Sequence, residues 1–166
     1  MNKIIIIGGA GFIGSNACYF FVKKKFNILV LDNLSYASNL SNIKPLIKKK
    51  KIKFKKINIS NYKKLNESIL EFKPNIIINF AAESHVDNSI KSPNIFFKSN
   101  VNGVYNILLS IKKYNEKYKN KKIKLFQVST DEVYGSLKKG FADENYPLKP
   151  SSPYSASKAA SDCLVM

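Results

Sequence analysis

Ile4-Ile5-Ile6-Ile7-Gly8-Gly9-Ala10-Gly11-Phe12-Ile13-Gly14 joins four β-branched residues to glycines at 8, 9, 11 and 14. A short apolar run bounded by turn residues reads as a buried strand. The run Lys3–Ile7 predicts a first strand, residues 12–24 predict a helix, and the glycines form the turn between them. Glycines 8, 11 and 14 have the spacing G-x-x-G-x-x-G, and each has a physical task. One makes a tight turn, one lets backbone approach a pyrophosphate, and one allows helix and sheet to touch with no side chain between. The helix N-terminus then offers unpaired N–H groups and the positive end of its dipole to an anion. A second run, Asn27–Leu31, ends at Asp32, 24 residues after Gly8. A carboxylate there can accept hydrogen bonds from adenosine ribose hydroxyls. It would repel a 2′-phosphate, and Asn33 supplies no countercharge, so the spacing favours NAD over NADP.

Met1-Asn2-Lys3 ahead of the isoleucines has the outline of a secretory leader, and Ala17-Cys18 hints at lipid attachment. The regular glycines that follow favour the strand and phosphate loop instead.

Further apolar runs recur at Ile52–Ile57, Asn75–Phe80 and Ile123–Val128. Nearly continuous apolar runs suit buried parallel strands. In the third strand Ile52 and Phe54 alternate with Lys53 and Lys55, the pattern of a strand nearer an edge. Between the runs lie stretches with helical spacing at 40–50, 62–72 and 93–117; in the last, Phe97, Val101, Val104, Leu108 and Ile111 recur at three- and four-residue steps. Alternating strands and helices predict an α/β protein with a Rossmann-like doubly wound parallel sheet. No repeat or linker divides the chain, so residues 1–166 read as one dinucleotide-binding domain.

Composition narrows the class of partner. The 166 residues carry 28 basic and 11 acidic side chains, a net charge of +17, with 45% hydrophobic residues arguing against disorder. All 28 basic residues are lysine. Arginine is the residue of bidentate grip on phosphate and guanine, and its absence speaks against specific nucleic-acid binding. Lys, Ile and Asn together make up 67 residues, and A+T-rich codons explain all three. The seven lysines between Lys48 and Lys56 read as a solvated helix end and sheet edge. Two cysteines cannot form a disulfide framework, which suits a reducing cytoplasm. No apolar run approaches the ~20 residues of a membrane helix. No Cys/His/Asp cluster has metal-ligand spacing, so no metal is expected.

Two later segments carry chemistry. The fifth strand runs into Ser129-Thr130-Asp131-Glu132-Val133-Tyr134-Gly135, and ligands of doubly wound sheets bind beyond the carboxyl ends of the strands. Adjacent carboxylates, one acid and one base, suit removal of water from a carbon skeleton. Then comes Pro150-Ser151-Ser152-Pro153-Tyr154-Ser155-Ala156-Ser157-Lys158. Ser151 or Ser152 can cap a helix whose first turn holds Pro153. Tyr154 and Lys158 would share one face at i and i+4. An ammonium beside a phenol favours phenolate and lowers its pKa from about 10. Tyr154 is thereby a candidate base for a hydroxyl proton while hydride leaves the same carbon.

With the glycine loop, Leu31-Asp32-Asn33-Leu34-Ser35-Tyr36-Ala37, Ala81-Ala82-Glu83-Ser84-His85-Val86-Asp87 and Tyr154-Ser155-Ala156-Ser157-Lys158, the chain resembles the extended short-chain dehydrogenase/reductases. Thr130-Asp131-Glu132 makes it most similar to the dTDP-glucose 4,6-dehydratase family. Nucleotide-sugar 4-epimerases of the same superfamily usually lack that carboxylate pair. The resemblance implies that Tyr154, Lys158, Thr130, Asp131 and Glu132 are catalytic. It implies a tightly held NAD met by Gly8, Gly11, Phe12, Ile13, Gly14, Asp32, Asn33, Asn58, Ile59, Ala81, Ala82 and Ser129, with Tyr154 and Lys158 alongside. Ser84, His85 and Thr130 would touch substrate. Asn100 would meet the cofactor or brace the site. Asn58 stands where the family places an aspartate for the adenine amino group, and Ser99 where threonine is usual.

Members of that family are roughly twice this length, and this chain stops within the helix begun by Tyr154. The expectation is an incomplete Rossmann domain without a sugar-nucleotide lobe, with little turnover of its own. The resemblance also implies a homodimer packed through residues 93–117 and the helix from Tyr154. Open alternatives are a UDP-linked dehydratase and a non-catalytic NAD-binding remnant.

Overall fold

A computed structural model of the chain describes residues 2–137 and 139–166. Its elements are β1 (Lys3–Ile7), α1 (Phe12–Lys23), β2 (Asn27–Asp32), α2 (Lys44–Lys48), β3 (Ile52–Lys56), α3 (Tyr62–Phe72), β4 (Ile76–Asn79), α4 (Val86–Lys91), α5 (Pro93–Phe96), α6 (Gly103–Lys117), β5 (Lys124–Gln127) and α7 (Pro153–Val165). The chain forms two compact units, Met1–Ala81 with Asn106–Val128, and Ala82–Tyr105 with Ser129–Met166.

The first unit holds the sheet. All strand pairs are parallel, in the order β3-β2-β1-β4-β5, with Ile5 opposite Leu29 on one side and Ile77 on the other. This is the predicted doubly wound topology, and its order reverses between β1 and β4. Successive residues of a strand face opposite sides, and β1 shows it. Ile5 and Ile7 join Leu29, Leu65, Ile69, Ile77 and Ile107 in one core cluster. Ile4 and Ile6 join Cys18, Ile28, Val30 and Leu46 in the other. β1 is therefore apolar at every position after Lys3, whereas β3 lies at the edge and alternates, as its lysines predict. Lys49, Lys50, Lys51, Lys53 and Lys56 are exposed, and Lys55 pairs with Glu71 at 2.6 Å.

Two predicted helices differ in the structure. Residues 40–50 break into a 3₁₀ turn, Leu40–Asn42, capped by the Asn39 side chain, and the short α2 with Pro45 in its first turn. Proline is tolerated at a helix start and not in its middle, which sets the break. The stretch 93–117 is helical but contains a π-helical turn, Phe97–Asn102, between α5 and α6. α4 was not expected. It has six residues, ends just before Pro93 and leaves Ile90 exposed, so it shows no periodic apolar face.

In the second unit α7 packs against α4, α5, the π-helical turn and a 3₁₀ turn over Asp131–Tyr134. Its buried residues include Phe96, Val133 and Tyr154 but also Ser89, Asn100, Ser155, Ser157, Lys158 and Ser161. Each of these serines is hydrogen-bonded within the unit. No helix among the described residues is long and apolar enough to cross a membrane.

Candidate active site

The first unit presents a backbone cradle. Gly8 has φ +76°, and a Cβ there would lie 2.6 Å from the Ala81 backbone nitrogen at the end of β4. A Cβ on Gly14 would lie 2.2 Å from the Gly8 carbonyl oxygen. Both positions require glycine, one for the left-handed turn and one for the contact of α1 with the loop. Gly11 differs: a Cβ there would meet the Gly8 oxygen at 3.4 Å and the Ala37 oxygen at 4.0 Å, ordinary contacts that do not by themselves require glycine. Gly11 is also the N-cap of α1 and supplies no capping side chain, and the first turn has no acidic residue. The turn's N–H groups are thus left for an anion. Phe12 and Ile13, in that first turn, are 82% and 60% exposed.

Asp32 is 4% exposed at the end of β2. Its Oδ2 accepts from the Ala10 N–H at 2.9 Å, and its Oδ1 accepts from the Leu34 N–H at 2.8 Å and the Ser38 hydroxyl at 2.9 Å. A carboxylate has about four acceptor sites, so these bonds fix the glycine loop to the second strand and leave room for one ligand hydroxyl. Asn33 is exposed, and its side-chain oxygen accepts from the Ser35 N–H at 3.0 Å. Asn58 is exposed after β3, with its Oδ1 taken by the Ser60 N–H at 2.9 Å, so one lone pair remains for an adenine amino group. Ile59 is buried, and its carbonyl accepts from Asn106 at 2.9 Å. Open N–H groups at the start of α1, glycines at the turn and a carboxylate with residual capacity fit a dinucleotide.

The second unit brings together the side chains with catalytic character. Ser152 caps α7 in a capping box with Ser155, whose buried Oγ also accepts the Ser151 N–H at 3.1 Å and the Ser152 N–H at 3.0 Å. This fixes where the helix starts, and so where Tyr154 and Lys158 stand. Thr130 caps the 3₁₀ turn: its hydroxyl accepts from the Glu132 N–H at 3.3 Å and lies 3.4 Å from the Asp131 Oδ1. It also acts on the Tyr154 phenol, favouring its ionised form. Asp131 and Glu132 are exposed. Successive residues of a 3₁₀ turn point about 120° apart, which lets the two carboxylates reach different atoms of one ligand. Ser129 and Ala82 precede these elements, the one exposed and the other half-buried. Ser84 and His85 are exposed on the approach to α4, with His85 as its N-cap.

The electrostatics correct one expectation. Burial raises the Tyr154 pKa above 10.0; the Thr130 hydrogen bond opposes the rise, and the Glu132 and Asp131 charges add to it. Tyr154 is 8% exposed, and its ring centroid lies 6.3 Å from that of Phe96. Burial and two carboxylates therefore outweigh any pull of the neighbouring ammonium. Lys158, 3% exposed, has a lowered pKa because burial disfavours its charge, with Asp162 acting the other way.

Sequence reasoning undervalued Asn100 and missed Asp162. From the π-helical turn, Asn100 accepts the Glu83 N–H at 2.9 Å and donates to the Glu83 carbonyl and the Ser157 hydroxyl, each at 2.9 Å. It ties the segment bearing Ser84 and His85 to the helix bearing Tyr154. Asp162 accepts the Ser129 hydroxyl. It lies four residues beyond Lys158, the same step that singled out Lys158 from Tyr154. No group of three or more potential metal-ligating His, Cys, Asp or Glu side chains occurs among the described residues.

The chain is similar to known proteins over nearly its whole length. The family model for GDP-mannose 4,6 dehydratase matches residues 5–166. A probable dTDP-glucose 4,6-dehydratase of Sinorhizobium fredii is 43% identical over 164 residues, which is 96% of this chain and 47% of that protein. Among solved structures, a dTDP-glucose 4,6-dehydratase from Bacillus anthracis in complex with NAD is 41% identical with a TM-score of 0.85, over 99% of this chain and 49% of that one. The UDP-Glc/GlcNAc 4-epimerase of Campylobacter jejuni is 29% identical with a TM-score of 0.89, over 99% and 48%. The chain spans about half the length of the curated relatives it matches. With the glycine loop, the Asp-Glu pair and the Tyr-Lys helix in place, the chain belongs to the GDP-mannose 4,6 dehydratase family of extended short-chain dehydrogenase/reductases.

Proposed function

We propose that the chain is the NAD-binding and catalytic half of a nucleotide-sugar 4,6-dehydratase whose substrate is dTDP-glucose and whose product is dTDP-4-keto-6-deoxyglucose. One observation carries the reading. Thr130 heads the turn on which Asp131 and Glu132 are both exposed, and that turn packs on the helix that carries Tyr154. Dehydration needs an acid and a base that epimerisation does not, and the overall fold matches dehydratases and epimerases equally well. The relatives named as acting on dTDP-glucose support that substrate over a UDP-linked one.

NAD, when bound, supplies the hydride acceptor at the sugar C4 and the donor that later reduces C6. Gly8, Gly11 and Gly14 would hold its pyrophosphate with Phe12 and Ile13, and Asp32 a ribose hydroxyl. Asn33, Asn58 and Ile59 would flank the adenosine, and Ala81, Ala82 and Ser129 the nicotinamide end. Tyr154 takes the 4-hydroxyl proton, with Thr130 bonded near O4. Glu132 removes the C5 proton, which the 4-keto group acidifies. Asp131 protonates the departing 6-hydroxyl as water. The raised phenol pKa gives this scheme an internal consistency. Asp131 must be in its acid form to protonate the leaving group, and that form removes one of the two charges that keep the Tyr154 proton in place. Lys158 holds positive charge on the helix that carries the phenol. Ser84 and His85 contact the sugar nucleotide. The active form is a cytoplasmic homodimer, and these 166 residues by themselves turn over little substrate.

The test is a fusion of this chain to the C-terminal half of the Sinorhizobium relative, assayed with dTDP-glucose and NAD+. Asp131→Asn and Glu132→Gln should each lower formation of the 4-keto-6-deoxy product by about 100-fold or more while C4 oxidation, read as transient NADH absorbance, survives. Dehydration at the unmutated rate in both variants refutes the assignment.

A further inference from the structure

Tyr154, Lys158 and Asp162 follow one another at four-residue steps along α7, which places them on one helix face. The first two have roles in the proposed reaction; the third has none. Its carboxylate nevertheless has a hydrogen-bond partner in Ser129 and lies one helical turn from Lys158. Oδ2 accepts a hydrogen bond from the hydroxyl of Ser129, the residue immediately before the Thr130-Asp131-Glu132 turn. The same carboxylate favours the protonated form of Lys158, whose burial works against it. Elements packed on α7 carry other charged or titratable groups: Asp87 and Lys91 on α4, Lys98 on the π-helical turn, and Asp131, Glu132 and Tyr134 on the 3₁₀ turn. Of these, Asp131 and Glu132 act on Tyr154, whereas the carboxylate acting on Lys158 is Asp162.

We infer that Asp162 is a positioning residue that fastens the segment carrying Thr130, Asp131 and Glu132 to the helix carrying Tyr154 and Lys158, and that it is the counter-ion of the Lys158 ammonium. A lysine this deeply buried is costly as a cation unless an anion accompanies it. A short serine at 129 reaches the helix only if α7 supplies an acceptor at that point, and Asp162 is that acceptor. The purpose of the arrangement rests on the dehydratase reading, but the arrangement itself is a property of the folded chain and is measurable without turnover.

The experiment follows the side-chain 13Cε resonance of Lys158 against pH in lysine-labelled chain, with the signal identified by its loss in Lys158→Arg. Asp162→Asn keeps the shape and removes the charge, and the Lys158 midpoint should fall by about 1 pH unit. Ser129→Ala should leave that midpoint in place and speed amide exchange across residues 129–134 by about tenfold, the loss of one charge-assisted hydrogen bond. Asp162→Ala removes the same charge with a different side chain and should lower the midpoint by a similar amount, so the test holds even if Asp162→Asn folds poorly. An unchanged midpoint in both Asp162 variants overturns the counter-ion role. Unchanged exchange in Ser129→Ala overturns the fastening role. If all three shifts appear and the fusion still forms no dehydrated product, the proposed function fails while this inference stands.

Discussion

The two units are built on opposite principles. The sheet unit is organised around aliphatic side chains and puts its functional surface on backbone: three glycines, a helix start without a capping side chain, and one carboxylate already bonded to its own loop. The second unit buries hydroxyls, an amide and an ammonium, and its function lies in the side chains themselves. A backbone cradle is specific through shape and fails by collision. A polar cluster is specific through hydrogen bonds and charge, and fails when a partner is left unsatisfied. Substitutions in the two units should therefore fail differently.

The largest effect is expected in the cradle. In Gly14→Ala the new Cβ would fall 2.2 Å from the Gly8 carbonyl, an atom of rigid backbone, so α1 or the loop must move. We expect a loss of about 3 kcal/mol in unfolding free energy and NAD affinity lowered beyond detection, read by denaturant unfolding and calorimetry. A Gly14→Ala chain that binds NAD like the unmutated one breaks the shape argument. Next is Asn100→Ala in the polar unit. It removes the Asn100 bonds to the Glu83 N–H and carbonyl and to the Ser157 hydroxyl, which should cost about 2 kcal/mol. NAD affinity should change much less than in Gly14→Ala.

The smallest effect separates stability from function. Lys158→Met replaces a buried cation with an apolar side chain of similar length and should alter unfolding free energy at pH 7 by no more than about 1 kcal/mol, although it abolishes dehydration in the fusion. Its pH dependence is the sharper readout. Because the folded-state Lys158 pKa lies below the ordinary 10.5, its contribution is present above that value and lost as pH falls through the lowered one. The unmutated chain should therefore gain stability relative to Lys158→Met as pH rises across that window. Tyr154, raised above 10.0, has the opposite sign: its contribution is present below 10.0 and lost as pH rises through the folded value. Tyr154→Phe should remove that loss.

The same contrast explains what could be read in the sequence. The sheet unit was legible because burial on both faces forces continuous Ile/Val runs, and because glycine spacing and a carboxylate after β2 have few other uses. Even the edge position of β3 showed in its Ile-Lys-Phe-Lys alternation. The second unit was legible only at Thr130-Asp131-Glu132 and Tyr154/Lys158. α4 has too few residues to show a period, and the π-helical turn over Phe97–Asn102 has no compositional mark. The Tyr154 pKa was misjudged because the i, i+4 step reveals a neighbour but not the burial around it. Two available signals went unread: Pro45, which breaks residues 40–50, and Asp162, at the same four-residue step as Lys158.

The central claim, that the glycine loop and Asp32 form an NAD cradle on this chain, is tested most directly by calorimetric titration of the unmutated chain with NAD+ and with NADP+. The account predicts saturable one-to-one binding of NAD+, at least about tenfold weaker binding of NADP+ because Asp32 opposes a 2′-phosphate, and loss of that preference in Asp32→Asn. Equal binding of both nucleotides, or binding of neither by a folded chain, would contradict it.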